Sequence, residues 1–144
     1  MRKLKYFLIL ILAVITLPSA ISYNSETSPI SIKGEVELGV YKDVRAVVFK
    51  QLIDANKSIL LDVRTKKEFD AGHIMGAINI DWYRRDFEVE ILRLDKSKQV
   101  LIYCHSGNRT SKAKFTMIGM GFQNIINLQY GINDWAQSGF TFVK

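Results

Sequence analysis

The chain has 144 residues, a formal net charge of +6 and a single cysteine. That length fits one domain of ordinary size. One cysteine excludes a fold stapled by internal disulfides.

The opening reads as a targeting segment. Arg2, Lys3 and Lys5 precede an apolar run over residues 6–17, interrupted only by Thr16; Pro18, Ser19, Ala20, Ile21 and Ser22 follow. This is the pattern of a secretory signal peptide, residues 1–22, cut after Ser22 or alternatively after Ala20. The run is short for a membrane span, which needs about 20 apolar residues, so a membrane is a partner only if the segment stays uncleaved. Export to a periplasmic or extracellular location is therefore expected. Removal of residues 1–22 takes away three positive charges and no negative one, leaving +3. With Lys, Arg, Asp and Glu interspersed, that charge gives no case for nucleic acid. Arg84-Arg85 is a local pair on a solvated face.

Residues 23–39 are polar and mixed and read as a leader or linker, with 31–38 a possible short edge strand. Ordered structure is expected from about residue 40 to 144. Val44, Val48, Leu52 and Ala55, joined by Phe49 and Ile53, share one helical face over 44–56, with Asp43 a possible N-cap. Residues 58–63 form a short apolar run that suits a buried parallel strand. Residues 65–71 are short and polar, about two helical turns closed by Gly72. His73 to Gly76 make a turn, and 77–80 a second short strand. Phe87, Ile91 and Leu94 mark a helix over 87–94. Residues 100–103 are the central strand. Residues 110–120 form a helix with Ala113, Met117 and Met120 on one face and Gly121 as its stop. Residues 125–128 are another strand, 131–138 a final helix carrying Trp135, and 140–143 end the chain. Strands alternate with helices from Ser58 onward, which predicts an α/β fold with a mostly parallel central sheet and helices on both faces.

In such sheets the site lies beyond the carboxyl ends of the strands. Asp62, Arg64 and Cys104 all fall there. Cys104 opens a loop, Cys104-His105-Ser106-Gly107-Asn108-Arg109, that leads into a helix expected near Thr110. A thiol attacks as its thiolate, and free cysteine has a pKa near ~8.5. A helix N-terminus supplies about 0.3–1 kcal/mol towards an anion, less than the roughly 2 kcal/mol that a shift of about 1.5 units requires. Two further sources are at hand. Ser106 and Gly107 permit a tight turn whose backbone N–H groups point inward as an anion nest. Arg109 brings a planar, always-charged donor fork. Arg109 either binds an anionic donor or ties the loop to an acidic neighbour. Asp62 and Arg64 read as supports that brace the loop or pair with Glu68. His73 reads as a turn residue, and His105 either lines the mouth of the loop or tunes the thiolate. The two histidines lack ligand spacing, so no metal is expected.

Three stretches resemble the rhodanese family. The segment over 61–80, with Asp62-Val63-Arg64, Glu68-Phe69, Gly72-His73-Ile74 and Gly76-Ala77-Ile78-Asn79-Ile80, is similar to the family's first signature. Tyr103-Cys104-His105-Ser106-Gly107-Asn108-Arg109-Thr110-Ser111-Lys112-Ala113 is similar to its active-site loop. Gly121-Phe122 and the segment from Asn127 to Trp135 look like its C-terminal part. The resemblance covers about residues 40–144. It implies a single-domain sulfurtransferase without a cofactor. Cys104 would be the nucleophile, taking a sulfane sulfur from thiosulfate or a persulfide as a cysteine persulfide and passing it to cyanide or a thiol. Backbone N–H groups over 105–109 would hold the negative charge, and Arg109 would help bind the anionic donor. A non-catalytic sulfur carrier or binding module of the same fold is the alternative. A cysteine phosphatase is disfavoured, because that chemistry places five residues between cysteine and arginine where this loop has four, His105 to Asn108. A disulfide redox protein is disfavoured because no resolving cysteine exists.

Overall fold

A computed structural model describes residues 40–144. The expectations for residues 1–39, the signal peptide, the leader and the edge strand, lie outside the described residues. Five strands, β1 (Val40–Val44), β2 (Ile59–Asp62), β3 (Ile78–Asn79), β4 (Val100–Tyr103) and β5 (Asn124–Leu128), form one sheet in the order β1-β5-β4-β2-β3. Every pairing is parallel. The expected central strand is central: β4 is flanked by β5 and β2.

Among the described residues four helices connect the strands, α1 (Ala46–Asp54), α2 (Lys66–Ala71), α3 (Phe87–Ile91) and α4 (Asn108–Gly119), and α5 (Gly131–Gln137) follows β5. Alternation along the strands divides the core into two layers. Val100, Ile102 and Cys104 pack with Leu61, Val63 and Ile125 against Phe87 and Ile91 of α3 and Ala113 and Met117 of α4. Leu101 and Tyr103 pack on the opposite face with Leu60, Ile126 and Leu128 against Phe49 of α1 and Ile132 and Trp135 of α5. Both faces of the sheet are thus covered, as near-continuous apolar parallel strands require.

The structure corrects several boundaries. The segment expected to open a helix at Val44 begins as β1, and α1 starts only at Ala46 with Arg45 as its N-cap instead of Asp43. Asp43 accepts a hydrogen bond from Asn127 Nδ2 at 2.8 Å. The polar residues of Val40-Tyr41-Lys42-Asp43-Val44 are tolerated because, among the described residues, β1 is an edge strand paired only with β5. Helix α4 begins at Asn108, two residues before the expected start, so Asn108 and Arg109 already belong to it. Helix α3 ends at Ile91, with Leu94 in the turns that follow.

Candidate active site at the carboxyl end of the central strand

The chain leaves β2 towards β3 on one side of the sheet and leaves β4 towards β5 on the other. The adjacent carboxyl ends of β2 and β4 therefore form a topological switch point, where a crevice opens and ligands bind. Asp62 and Arg64 lie at the end of β2, and Cys104 lies at the end of β4.

Cys104 is 1 % exposed. Its Sγ accepts a hydrogen bond from the Gly107 N–H at 3.1 Å. Gly107 has a φ of +100° and caps α4. A Cβ there would meet the Gln129 carbonyl oxygen at 2.5 Å, so only glycine fits both the turn and the space. The Gly107 carbonyl in turn accepts from Thr110 Oγ1 at 2.8 Å and Ser111 Oγ at 2.9 Å. The hydroxyl of Thr110 is also 3.9 Å from Sγ. The first-turn N–H groups of α4 have no intrahelical acceptor.

The other side of the loop rests on α5. Ile132 N–H donates to the Cys104 carbonyl at 2.8 Å, and Asn133 N–H to the His105 carbonyl at 3.4 Å. In a trans peptide the carbonyl and the following N–H point opposite ways. These two bonds therefore turn the His105 and Ser106 N–H groups away from α5. Among the described residues neither of them donates to a protein acceptor. The close approach depends on Gly131, at φ +60°, where a Cβ would lie 2.4 Å from the Cys104 carbonyl oxygen and 2.5 Å from that of His105. Sequence reasoning placed Gly131 only at a helix start; the clue was a glycine opening a helix after a strand.

Arg109 has its guanidinium fork on Glu68, with Nη1–Oε2 at 2.6 Å and Nη2–Oε1 at 2.7 Å. Of the two roles expected for Arg109, the tie to an acidic neighbour is the geometry present. Tyr83 lies against the guanidinium, 5.7 Å from ring centroid to Cζ. Glu68 also closes the capping box of α2: it accepts from the Thr65 N–H at 3.0 Å while Thr65 Oγ1 accepts from the Glu68 N–H at 3.3 Å. Arg109, burial and Thr65 together set its acidity, with the Arg109 bonds dominant, and the pKa falls from 4.5 to about 2. Arg64 pairs with Asp62 instead of Glu68, through Nε and Nη2 at 2.9 and 2.7 Å to Oδ2. Both are buried. Arg64 Nη2 also donates to the Gly72 carbonyl at 2.8 Å, bracing the segment after α2.

His105, Ser106 and Asn108 are exposed around the loop. His73 is in the turn, stacked on Phe69 at 3.7 Å with Nδ1 3.0 Å from the Phe69 carbonyl. Among the described residues no group of three or more His, Cys, Asp or Glu could hold a metal ion. The arrangement is an almost buried sulfur, one N–H already on it, and a surrounding set of N–H groups that suits an added negative charge.

A parallel sheet with this switch point and this cysteine loop defines a rhodanese-like architecture. The rhodanese-like domain family matches residues 46–138, and the chain belongs to it. YrkF of Bacillus subtilis, named as a candidate sulfur carrier protein, is 34% identical over 95 residues, which are 65% of this chain and 50% of that protein. The tRNA uridine(34) hydroxylase of Yersinia enterocolitica is 32% identical over 98 residues, 65% of this chain and 28% of that protein. The chain thus matches half or less of the length of these relatives. A rhodanese-related protein from Thermoplasma volcanium superimposes with a TM-score of 0.64 at 26% identity, covering 72% of this chain and 98% of that one.

Proposed function

We propose that the protein transfers a sulfane sulfur through Cys104. The observation that carries this reading is the Gly107 N–H on Cys104 Sγ, in a loop whose His105 and Ser106 N–H groups have no protein acceptor among the described residues. The Cys104 thiolate attacks the outer sulfur of thiosulfate. A Cys104 S–S bond forms, the donor's S–S bond breaks, and sulfite leaves with its electron pair. The enzyme persulfide keeps one negative charge beside the loop N–H groups. An acceptor thiolate or cyanide then attacks the outer sulfur and returns the Cys104 thiolate. Arg109 holds the loop through Glu68, and Asp62 with Arg64 braces the crevice.

Incubation with thiosulfate followed by intact-mass measurement is expected to show a gain of one sulfur atom. The gain disappears in Cys104→Ala. An unchanged mass, or an equal gain in that variant, overturns the reading. A sulfur-carrier role without turnover is the second reading, supported by the name of the Bacillus relative. Thiocyanate formed catalytically with cyanide favours the enzyme; a loaded protein that does not turn over favours the carrier. Hydrolysis of an aryl phosphate without sulfur transfer favours a phosphatase instead. We also infer export, on the basic start and apolar run of residues 1–22. N-terminal sequencing of the exported protein is expected to begin at Tyr23 or Ile21. Retention of Met1 in the soluble cell interior counts against export. No helix of the described residues is long and apolar enough to cross a membrane.

A further inference from the structure

Two arginines flank the crevice beside Cys104, and each is already matched by a carboxylate. Arg64 gives Nε and Nη2 to Asp62, and Arg109 gives both ends of its fork to Glu68. Lys144, on the outer wall, is exposed, so water and salt screen its charge. What is left for an anion at the sulfur is the set of loop N–H groups. Their partial positive charges suit one negative charge, which is the charge a persulfide carries. A donor with a second negative charge needs a full cation as well.

Arg109 is the residue placed to supply that cation. The bonds from Glu68 chiefly hold it in its charged form, and attraction to the Cys104 thiolate adds to them. Glu68 withholds it from a donor. The Arg109 side chain is only 13% exposed, with its fork on the carboxylate and the Tyr83 ring against the guanidinium. An arriving dianion has to displace Glu68, and Glu68 has a second anchor. Thr65 holds it by its N–H at 3.0 Å and its hydroxyl at 2.7 Å, independently of Arg109. The Arg109 bonds keep its pKa at about 2, so it stays ionised at neutral pH.

We propose that Glu68 is a specificity-determining residue: by neutralising Arg109 it biases the cysteine loop towards sulfane-sulfur donors with one negative charge or none, against dianions such as thiosulfate. This rests on the sulfur-transfer reading and names the donor class that the site favours. Alkanethiosulfonates are monoanions of that class. The Cys104 thiolate attacks their outer sulfur, a Cys104 S–S bond forms, the donor's S–S bond breaks, and a sulfinate leaves with the electron pair. Thiosulfate remains a donor, handicapped by its second charge.

The test measures single-turnover loading of Cys104 by intact mass, with thiosulfate as the dianion and methanethiosulfonate as the monoanion. Glu68→Gln frees the Arg109 charge and is expected to raise the ratio of the thiosulfate rate to the methanethiosulfonate rate about fivefold or more. A loop that is merely loosened slows both donors together and leaves the ratio unchanged. Glu68→Gln with Arg109→Gln removes both charges, and its ratio is expected to stay within about twofold of wild type. Thermal melts report folding, and the double variant decides alone if the single one fails to fold. An unchanged ratio in folded Glu68→Gln, or a double variant about fivefold below wild type, overturns the assignment. Alkylation of Cys104 by iodoacetate against iodoacetamide reads the same charge without sulfur transfer, and its ratio is expected to rise in Glu68→Gln. A rise there while neither donor loads Cys104 leaves the charge role of Glu68 standing and removes the transfer reading. No rise and no loading overturn both.

Discussion

Glu68 joins three parts of the site through one carboxylate: the cap of α2, the Arg109 fork and the crevice wall. A charged hydrogen bond contributes about 1.5–3 kcal/mol when shielded, and the 32% exposure of the Glu68 side chain reduces that by screening. Glu68→Gln is therefore expected to lower stability by about 1–2 kcal/mol at pH 7. Its pKa is depressed from 4.5 to about 2 in the folded chain, so the contribution is complete above pH 4.5 and is lost as pH falls towards 2. Urea titrations at pH 7 and in steps below pH 4.5 are expected to show the gap between wild type and variant closing. Tyr103 offers a neutral comparison. Its hydroxyl is buried and accepts the Ile74 N–H at 3.1 Å, and burial pushes its pKa well above the usual phenol range. Tyr103→Phe strands that buried N–H at a cost of about 1–3 kcal/mol, with no change in the acid limb of the stability curve.

At the scale of elements, the turn between β5 and α5 sets the loop that carries the cysteine. Gly131→Ala places a methyl group 2.4 Å from the Cys104 carbonyl oxygen in a left-handed backbone conformation. Left-handed geometry costs an ordinary residue about 1–2 kcal/mol, and relieving the contact adds to it. A loss of about 2–4 kcal/mol is expected, together with slower loading of Cys104 from thiosulfate in intact-mass time courses. Stability and loading both equal to wild type would show that α5 does not hold the loop. Much of this layout was legible in the sequence. The apolar runs at β2 and β4, the glycine after Ser106 and the alternation of strand and helix all report local geometry. Edge strand β1 was not legible, because Lys42 and Asp43 break the apolar pattern where, among the described residues, one neighbouring strand pairs. The early start of α4 was hidden for a related reason: Gly107 caps it through a left-handed backbone, without a side-chain bond. The Glu68–Arg109 pair joins residues 41 apart, and no local pattern announces such a partner.

Across the whole molecule, the first described helix is tied to the last by one buried carboxylate. Asp134 on α5 accepts Arg45 Nη2 at 2.6 Å, Arg45 Nε at 3.0 Å and the Ala46 N–H at 2.7 Å. Ala46 is fully buried at the start of α1, and Arg45, the N-cap, makes no side-chain capping bond to that helix. Asp134 therefore serves as a cap supplied from 88 residues away, which satisfies a donor that the helix itself leaves open. The two partners are unequal. Arg45's side chain is 62% exposed, so its charge is screened, whereas the N–H of Ala46 has no water to fall back on. Asp134→Ala is expected to cost about 2–3 kcal/mol, and Arg45→Ala distinctly less, because its exposed charge is screened. The Arg45 bonds hold the Asp134 pKa below its usual value, so this contribution is present above the ordinary aspartate pKa and is lost as pH falls through the lowered one. Both α1 and α5 pack on the face of the sheet that carries Tyr103, and α5 also supports the Cys104 carbonyl. Loss of Asp134 is therefore expected to loosen the active loop as well as α1. Hydrogen exchange of Ala46, Ile132 and Asn133 is expected to rise together in Asp134→Ala. A rise confined to Ala46 would mean that the cap serves α1 alone and that the cysteine loop is held independently of the first helix.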